Sequence, residues 1–329
     1  MLDRARQPRG TLPERVAIET VSCRLCGCES RAILHNRPDY EYGHATRLDY
    51  YRCAGAACGF IFAAPIPLEQ IASFYQAYST HVAPAAPGAE SRVRRLEALV
   101  TPPPIRRELA NYLGDGIPQR PELRLLDFGC GNASLLKRLQ ARGFTSLHGF
   151  DFDPKARDAA RAQGLVIFDQ VEQVFAQGNT FDLIVLNHVI EHLDDPVGTL
   201  SQLMGTLAPG GRVYLRTPNT GSFLRRLFGS RWRGYETPRH LGLFNLRSIR
   251  QLARRIGDVD VDPWTENGIF GGVFYGSFTG AFWTGGPGRI VRYALYPLAA
   301  WLAVALNAAT RSVGEELVAT LTTSPSARR

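Results

Sequence analysis

Two carboxylates and two glycines at fixed intervals carry the first recognisable chemistry of this chain. Leu125-Leu126-Asp127-Phe128-Gly129-Cys130-Gly131 reads as a buried strand running into a tight turn, and a helix opens at Ser134. Gly129 and Gly131 lack a Cβ, so the turn can be sharp and a ligand can lie against the main chain, where the N–H groups of the helix opening point at it. Asp127 stands at the carboxyl end of the strand, and Cys130 lies between the glycines. A second apolar run, Leu147-His148-Gly149-Phe150, ends in Asp151, where a carboxylate meets the two hydroxyls of a ribose. The spacing predicts a nucleotide cradle made by Asp127, Gly129, Cys130, Gly131 and Asp151. Phe152, beside the ribose acid, is placed either against an adenine or in local packing.

Cysteines supply a second set of reactive groups. Cys23-x2-Cys26-Gly27 and Cys53-x4-Cys58-Gly59 form two knuckles, the pattern of a zinc ribbon, with Cys28 as a competing thiol. Four thiolates on one Zn2+ leave no open coordination position, so the metal expected here is structural. Met1 to Thr20 is polar and arginine-rich with no apolar signal segment, which predicts a cytoplasmic protein with reduced cysteines.

Four stretches in one order resemble the class I S-adenosylmethionine-dependent methyltransferases. They are Asp127–Gly131, Gly149-Phe150-Asp151, Phe181–His192, and Leu207–Leu215 with its Pro209-Gly210-Gly211 turn. The resemblance implies S-adenosyl-L-methionine as cofactor, with Asp127, Gly129 and Gly131 at its methionine end and Asp151 on its ribose. It also implies that Asn187 and His188, ending a strand, face the methyl-donor side. The chain departs at Ala133, where many relatives carry a third glycine. A nicotinamide-binding unit uses the same turn, but the GxGxxG pattern is missing and the Pro-Gly-Gly turn is present. An N-terminal cysteine module also precedes the methyltransferase domain of deoxysugar C-methyltransferases. His188-x2-Glu191-His192 resembles a metal-binding segment of ubiquinone-biosynthesis O-methyltransferases at Glu191 and His192, with His188 in place of an acid. On a helix these three share one face, and the alternative is that they satisfy buried polar groups.

Methyl transfer requires an aligned acceptor and, for a hydroxyl, a group that takes its proton. His240, in Glu236-Thr237-Pro238-Arg239-His240, is the candidate base, or else a loop-capping histidine; His188 is the second catalytic candidate. Asp169 stands after a third strand, either accepting from an adenine amino group or solvated in a loop.

These residues must be held by an α/β fold. Strand and helix signals alternate from Leu123, predicting a doubly wound, mostly parallel seven-stranded Rossmann-like sheet with a small N-terminal zinc ribbon. The expected organisation is a tail over 1–20, the cysteine module over 21–64, a helical connection and cap over 65–118, the cofactor domain over 119–262, and an apolar cap helix with a final strand over 263–329. Expected elements include helices Leu68–Tyr78 and Ile105–Leu113, a flexible Val82–Gly88 linker, a strand Gly211–Arg216, and a last strand Glu316–Thr322.

The net charge of +8, from 38 Lys and Arg against 30 Asp and Glu, favours an anionic partner. Ser222–Gly234 alternates bulky apolar groups with four arginines, and Tyr293–Thr310 is uncharged between Arg292 and Arg311. Residues 289–310 therefore read as an interfacial or substrate-covering helix peripheral to the inner membrane face, not a span, because the last strand must rejoin the sheet. The acceptor expected is a small or lipid-linked metabolite methylated on oxygen or carbon. Nucleic acid is disfavoured by the lack of a basic tail. An RNA or protein methyltransferase, or a non-catalytic cofactor-fold binding module, remain the alternatives, and no oligomeric state follows from the sequence.

Overall fold

The computed structural model describes residues 20–75, 99–110, 117, 120–178, 180–278 and 286–324. The N-terminal tail before residue 20, the Val82–Gly88 linker and the expected helix ends 76–78 and 111–113 lie outside the described residues.

The seven-stranded sheet expected from the alternating pattern is present, in the order β11-β12-β9-β8-β5-β6-β7. Its strands are β5 (Leu125–Phe128), β6 (Leu147–Phe150), β7 (Val166–Ile167), β8 (Phe181–Asn187), β9 (Leu207–Pro218), β11 (Val259–Glu266) and β12 (Glu316–Thr323). β5 runs parallel to β6 and β8, β8 to β9, and β6 to β7, while β12 lies antiparallel between β9 and β11. Every residue of β5 is buried, as a strand covered on both faces requires. The expected strand over 211–216 is the second half of the longer β9. β11 was not anticipated: its Val259-Asp260-Val261-Asp262 alternation marks a half-buried strand, and Pro263 is tolerated because β11 is an edge.

Helices α2 (Ser134–Gln140), α3 (Pro154–Arg161), α5 (Pro196–Gly205) and α7 (Leu246–Ile256) connect or cover these strands, with α1 (Pro103–Ala110) before them and the short α4 (Val171–Val174) before β8. α3 shows why a helix starts where it does: Asp153 accepts the Lys155 N–H and Pro154 takes the first helical position. α6 (Phe223–Phe228), α8 (Phe270–Ser277) and the long α9 (Gly286–Thr310) form a cap, tied together by Phe228, Phe274 and Tyr296.

The cysteine region makes its own antiparallel sheet, β1 (Val21–Ser22), β2 (Glu29–Arg37), β3 (Leu48–Cys53) and β4 (Ile61–Ala63). Its fifth strand comes from elsewhere: β10 (Gly242–Leu243), in the loop after β9, pairs with β4. Cys23, Leu25, Phe60 and Phe62 share one buried cluster with Ile184, Leu186, Leu215 and Ile249. The two sheets are thereby joined through the loop that carries His240.

Candidate functional site

One cavity of about 1860 Å³ opens at the carboxyl ends of β5, β6 and β8. That position is where open α/β sheets bind ligands. The turn after β5 shapes its floor. Gly129 adopts φ +85°, and a Cβ there would stand 2.4 Å from a methyl of Val189. Gly131, with φ +49°, donates its N–H to Asp151 Oδ2 at 2.8 Å, while the Asp153 N–H donates to Oδ1 at 2.9 Å. Ala133 also holds a left-handed backbone, φ +58°, at the start of α2. A glycine is unstrained in that conformation, and this chain tolerates the strain of alanine.

Asp127 is buried under the turn, and its carboxyl is pushed up to about 7, by desolvation first and by the charge of Asp151 second. An incoming cation relieves both effects. Burial likewise raises the Cys130 thiol above its ordinary range. Asn187 lines the cavity, and its Oδ1 is buried without a hydrogen-bond partner. Phe152 is 55% exposed at the cavity edge, in edge-to-face contact with Phe128 and Phe150. Asp127, Gly129, Cys130, Gly131, Asp151, Phe152 and Asn187 thus converge on one cavity. Asp169 does not line it; this exposed side chain pairs with Arg161.

The other end of the cavity is built by the chain after β8. A helix carrying His188, Glu191 and His192 on one face does not form. His188 takes φ +55°, a single 3-10 turn spans Ile190–His192, and Leu193 is extended before Asp195 caps α5. Few residues separate β8 from Pro196, so the chain has room for one turn. The two histidines consequently part company. His188 lies between buried carboxylates, its Nδ1 3.1 Å from Glu191 Oε1 and its Nε2 3.0 Å from Glu316 Oε1. Both ring nitrogens are occupied, which leaves no lone pair directed at an acceptor. Although burial alone would raise it, the Glu191 carboxyl is held down to about 2 by His188, and its Oε2 accepts from Thr217. Glu316 in turn meets the buried Arg216 at 3.1 Å.

His192 joins the opposite group. Its Nδ1 is 3.1 Å from the Arg239 carbonyl and 3.0 Å from the Tyr75 hydroxyl, and its ring stands 4.8 Å from that of His240. Burial, then His240, lowers it to about 4, so it is a neutral imidazole. His240 is buried, and its Nδ1 lies 2.8 Å from the Gly234 carbonyl. A carbonyl only accepts, so Nδ1 carries a proton, while Nε2 faces the cavity side 3.8 Å from Glu236 Oε2. Glu191, His192 and His240 bring ligand atoms within 4.8 Å of one another, a donor set suited to a divalent cation.

A family model described as a methyltransferase domain matches residues 98–259. These residues are a methyltransferase domain. Over 119 residues the chain is 35% identical to a ubiquinone biosynthesis O-methyltransferase of Cereibacter sphaeroides, covering 33% of this chain and 48% of that protein. A protein of the same name from Erwinia tasmaniensis is 26% identical over 183 residues, 53% of this chain and 73% of the relative. The chain spans about half the length of most curated relatives it matches. A solved SAM-dependent methyltransferase from Archaeoglobus fulgidus is 16% identical with a TM-score of 0.43, covering 67% of this chain and 92% of the other.

Outside the methyltransferase domain, the cysteine knuckles meet as their spacing predicts. Cys23 Sγ lies 3.8 Å from Cys58 Sγ, Cys26 Sγ 3.3 Å from Cys53 Sγ, and all four fall within 4.8 Å of one another. Tetrahedral Zn2+ with Zn–S bonds of about 2.3 Å needs sulfurs about 3.8 Å apart, so the set is compatible with a structural zinc. The hydrogen bond with Cys58 lowers the Cys23 thiol below its ordinary range, against the effect of burial. Cys28 is exposed and stands outside the set.

Sequence reasoning overlooked Tyr75, Glu236 and the pairing of His192 with His240. His192 was in view, but its partners come from loops whose conformation no local pattern encodes. The apolar wall beyond them, Leu68, Ile71, Ile269, Val273 and Tyr275, comes from the connection before α1 and from α8.

Proposed function

We propose that this chain is an S-adenosylmethionine-dependent O-methyltransferase acting on a small or lipid-linked acceptor in the cytoplasm, at the inner face of the membrane. The observation that carries the reading is the continuity of one cavity from the Asp127–Asp151 cradle to the paired imidazoles of His192 and His240. Ordinary ligand pockets measure about 300–1,000 Å³, so this one has room for donor and acceptor together.

S-Adenosyl-L-methionine, when bound, supplies an electrophilic methyl group on a sulfonium. Asp127 is the group for a cationic amine and Asp151 for a ribose, while the unpartnered Asn187 Oδ1 is a further acceptor within the cavity. Leu68, Ile71 and Tyr275 exclude water and suit an apolar ring or chain. His240 Nε2 takes the acceptor proton, with the Gly234 carbonyl holding the tautomer and Glu236 near enough to stabilise the imidazolium. His188 acts as an organiser, bridging Glu191 and Glu316 beneath the site. The Glu191, His192 and His240 donor set favours a second reading, in which a divalent cation held there lowers the pKa of the acceptor hydroxyl in place of the base.

The test is product formation with labelled S-adenosyl-L-methionine and a panel of catechol, phenol and lipid-linked hydroxyl acceptors. A methylated oxygen that persists after chelation supports the imidazole mechanism, and chelator-sensitive turnover favours the cation. Tight S-adenosylhomocysteine binding with no product from any acceptor would point to a non-catalytic cofactor-fold module.

A further inference from the structure

The outward face of α9 is unlike any other surface of the described chain. Ile290, Val291, Leu295, Leu298, Trp301 and Leu302 are all exposed, Ile290 by 71% and Leu298 by 70%, and the small residues that complete their row are alanines. Val291, Leu295, Leu298 and Leu302 follow one another at four, three and four residues, with Ile290 and Trp301 beside them, so all six lie in one stripe along the helix. No described side chain in the stripe is charged. The inner face is ordinary core: Tyr296, Ala300 and Ala303 are buried against α8, and Tyr296 lines the cavity.

Among the described residues this is the one helix long and apolar enough to cross a bilayer, yet it does not read as a span. α8 packs against it from the N-terminal side, and β12, just after its end, lies inside the seven-stranded sheet. Both ends belong to one folded body, so the helix lies flat on that body with its apolar side outward.

The charge around the stripe identifies what covers it. From Asn267 to Gly314 the sequence has no Asp or Glu, and neither does Asn219 to Tyr235, which carries Arg225, Arg226 and Arg231, together with Arg233, which pairs with Glu41 and Glu236. The second segment contains α6, which leans on the same α8 as the stripe helix does, through Phe228 against Phe274 and Phe278. On it Arg226, Leu227 and Arg231 are exposed. An apolar helical stripe and an acid-free, arginine-bearing segment that pack on the same α8 are together complementary to an anionic lipid surface, where apolar side chains enter the acyl boundary and arginines meet headgroups.

We propose that α9 docks this protein on anionic bilayers, with its Ile290–Leu302 stripe in the interface and Arg226 and Arg231 at the headgroups. The cavity wall at Tyr296 is then the back of the membrane-facing helix. The docking does not depend on which acceptor the cavity takes.

Co-sedimentation of the full chain with phosphatidylcholine vesicles containing about a third phosphatidylglycerol, against pure phosphatidylcholine, tests this. Expected are binding to the anionic vesicles, weakening with salt, and at least a tenfold lower partition for Leu298→Glu/Trp301→Glu with S-adenosylhomocysteine affinity unchanged. The milder Leu298→Ser/Trp301→Ser pair serves if the acidic one misfolds, and Arg226→Glu/Arg231→Glu should lower anionic binding alone. Wild-type protein left in the supernatant with both vesicles, or undiminished binding by the stripe variants, overturns the proposal. So does sedimentation velocity showing a dimer that the stripe variants dissociate, since the stripe would then belong to a second copy.

Discussion

Asp39 and Arg239, 200 residues apart, form a buried ion pair, with Arg239 Nη1 3.1 Å from Asp39 Oδ2 and Nη2 3.3 Å from Oδ1. The pair clamps the loop carrying His240 to the β2–β3 connection of the cysteine-bearing sheet, and Arg239 also lies over the Tyr42 ring at 4.5 Å. Removing Asp39 leaves the buried Arg239 with Glu236, 3.4 Å from its Nε, as its remaining carboxylate. Asp39→Asn should cost about 1.5–3 kcal/mol of unfolding free energy, the worth of hydrogen bonds to a charged group, measured by urea denaturation. Arg239→Leu in the same chain should cost less than the two single changes combined. Additivity of the two would show that the residues act separately.

Cofactor affinity should depend on pH through Asp127. Its carboxyl, raised to about 7 by burial and then by Asp151, is protonated in the free protein below that pH and cannot attract a cationic amine. S-Adenosylhomocysteine should therefore bind more tightly as pH rises through about 7, by up to about tenfold per unit below it, and level off above. Titration calorimetry between acid and neutral pH reads this directly; Asp127→Asn should bind weakly with no such slope.

Gly129→Ala should damage the same site by shape alone. The new methyl meets Val189 at 2.4 Å in a left-handed backbone, so binding of S-adenosylhomocysteine should fall about tenfold or more. Addition of Val189→Ala should recover part of the loss by removing the clash and leaving the backbone strain.

His240→Ala should retain cofactor affinity and lose turnover by about a hundredfold or more. His188→Ala should instead lower thermal stability, since it leaves the buried Glu191 and Glu316 carboxylates without their shared partner. If His240→Ala turns over normally, the base assignment is wrong, whatever its stability.

Zinc should copurify at one equivalent, by elemental analysis. Stripping it with a strong chelator, or replacing Cys58 with Ser, should lower the unfolding temperature by several degrees, because a metal bound only by the folded state adds its binding energy to folding. Cys28→Ser should keep the metal, as its thiol stands outside the set.

The convergence of Asp127, Gly129, Gly131 and Asp151 on one cavity was legible in the chain because these residues are neighbours in sequence. Strand, turn, helix and next strand bring Asp127, Gly129, Gly131 and Asp151 together within one supersecondary unit, so local spacing encodes the geometry. The cysteine knuckles were legible for the same reason. Of the two readings of Asp169, the structure fits the solvated loop acid, because Arg161 on the preceding helix draws the side chain aside, which position after a strand does not encode.

What sequence alone determined here is whatever depends on short-range backbone chemistry: the glycine turn, the alternation that demands a parallel sheet, the thiol pairs, and the apolar run of α9. Tertiary structure decided the rest. Only the fold could separate His188 from His192, because that depends on one left-handed residue and the short distance to Pro196. Only the fold could bring Tyr75, Glu236 and His240 around His192, or run β10 alongside β4. Such contacts are selected by the total burial of apolar surface and the pairing of buried charge across the whole molecule, and no local pattern specifies them.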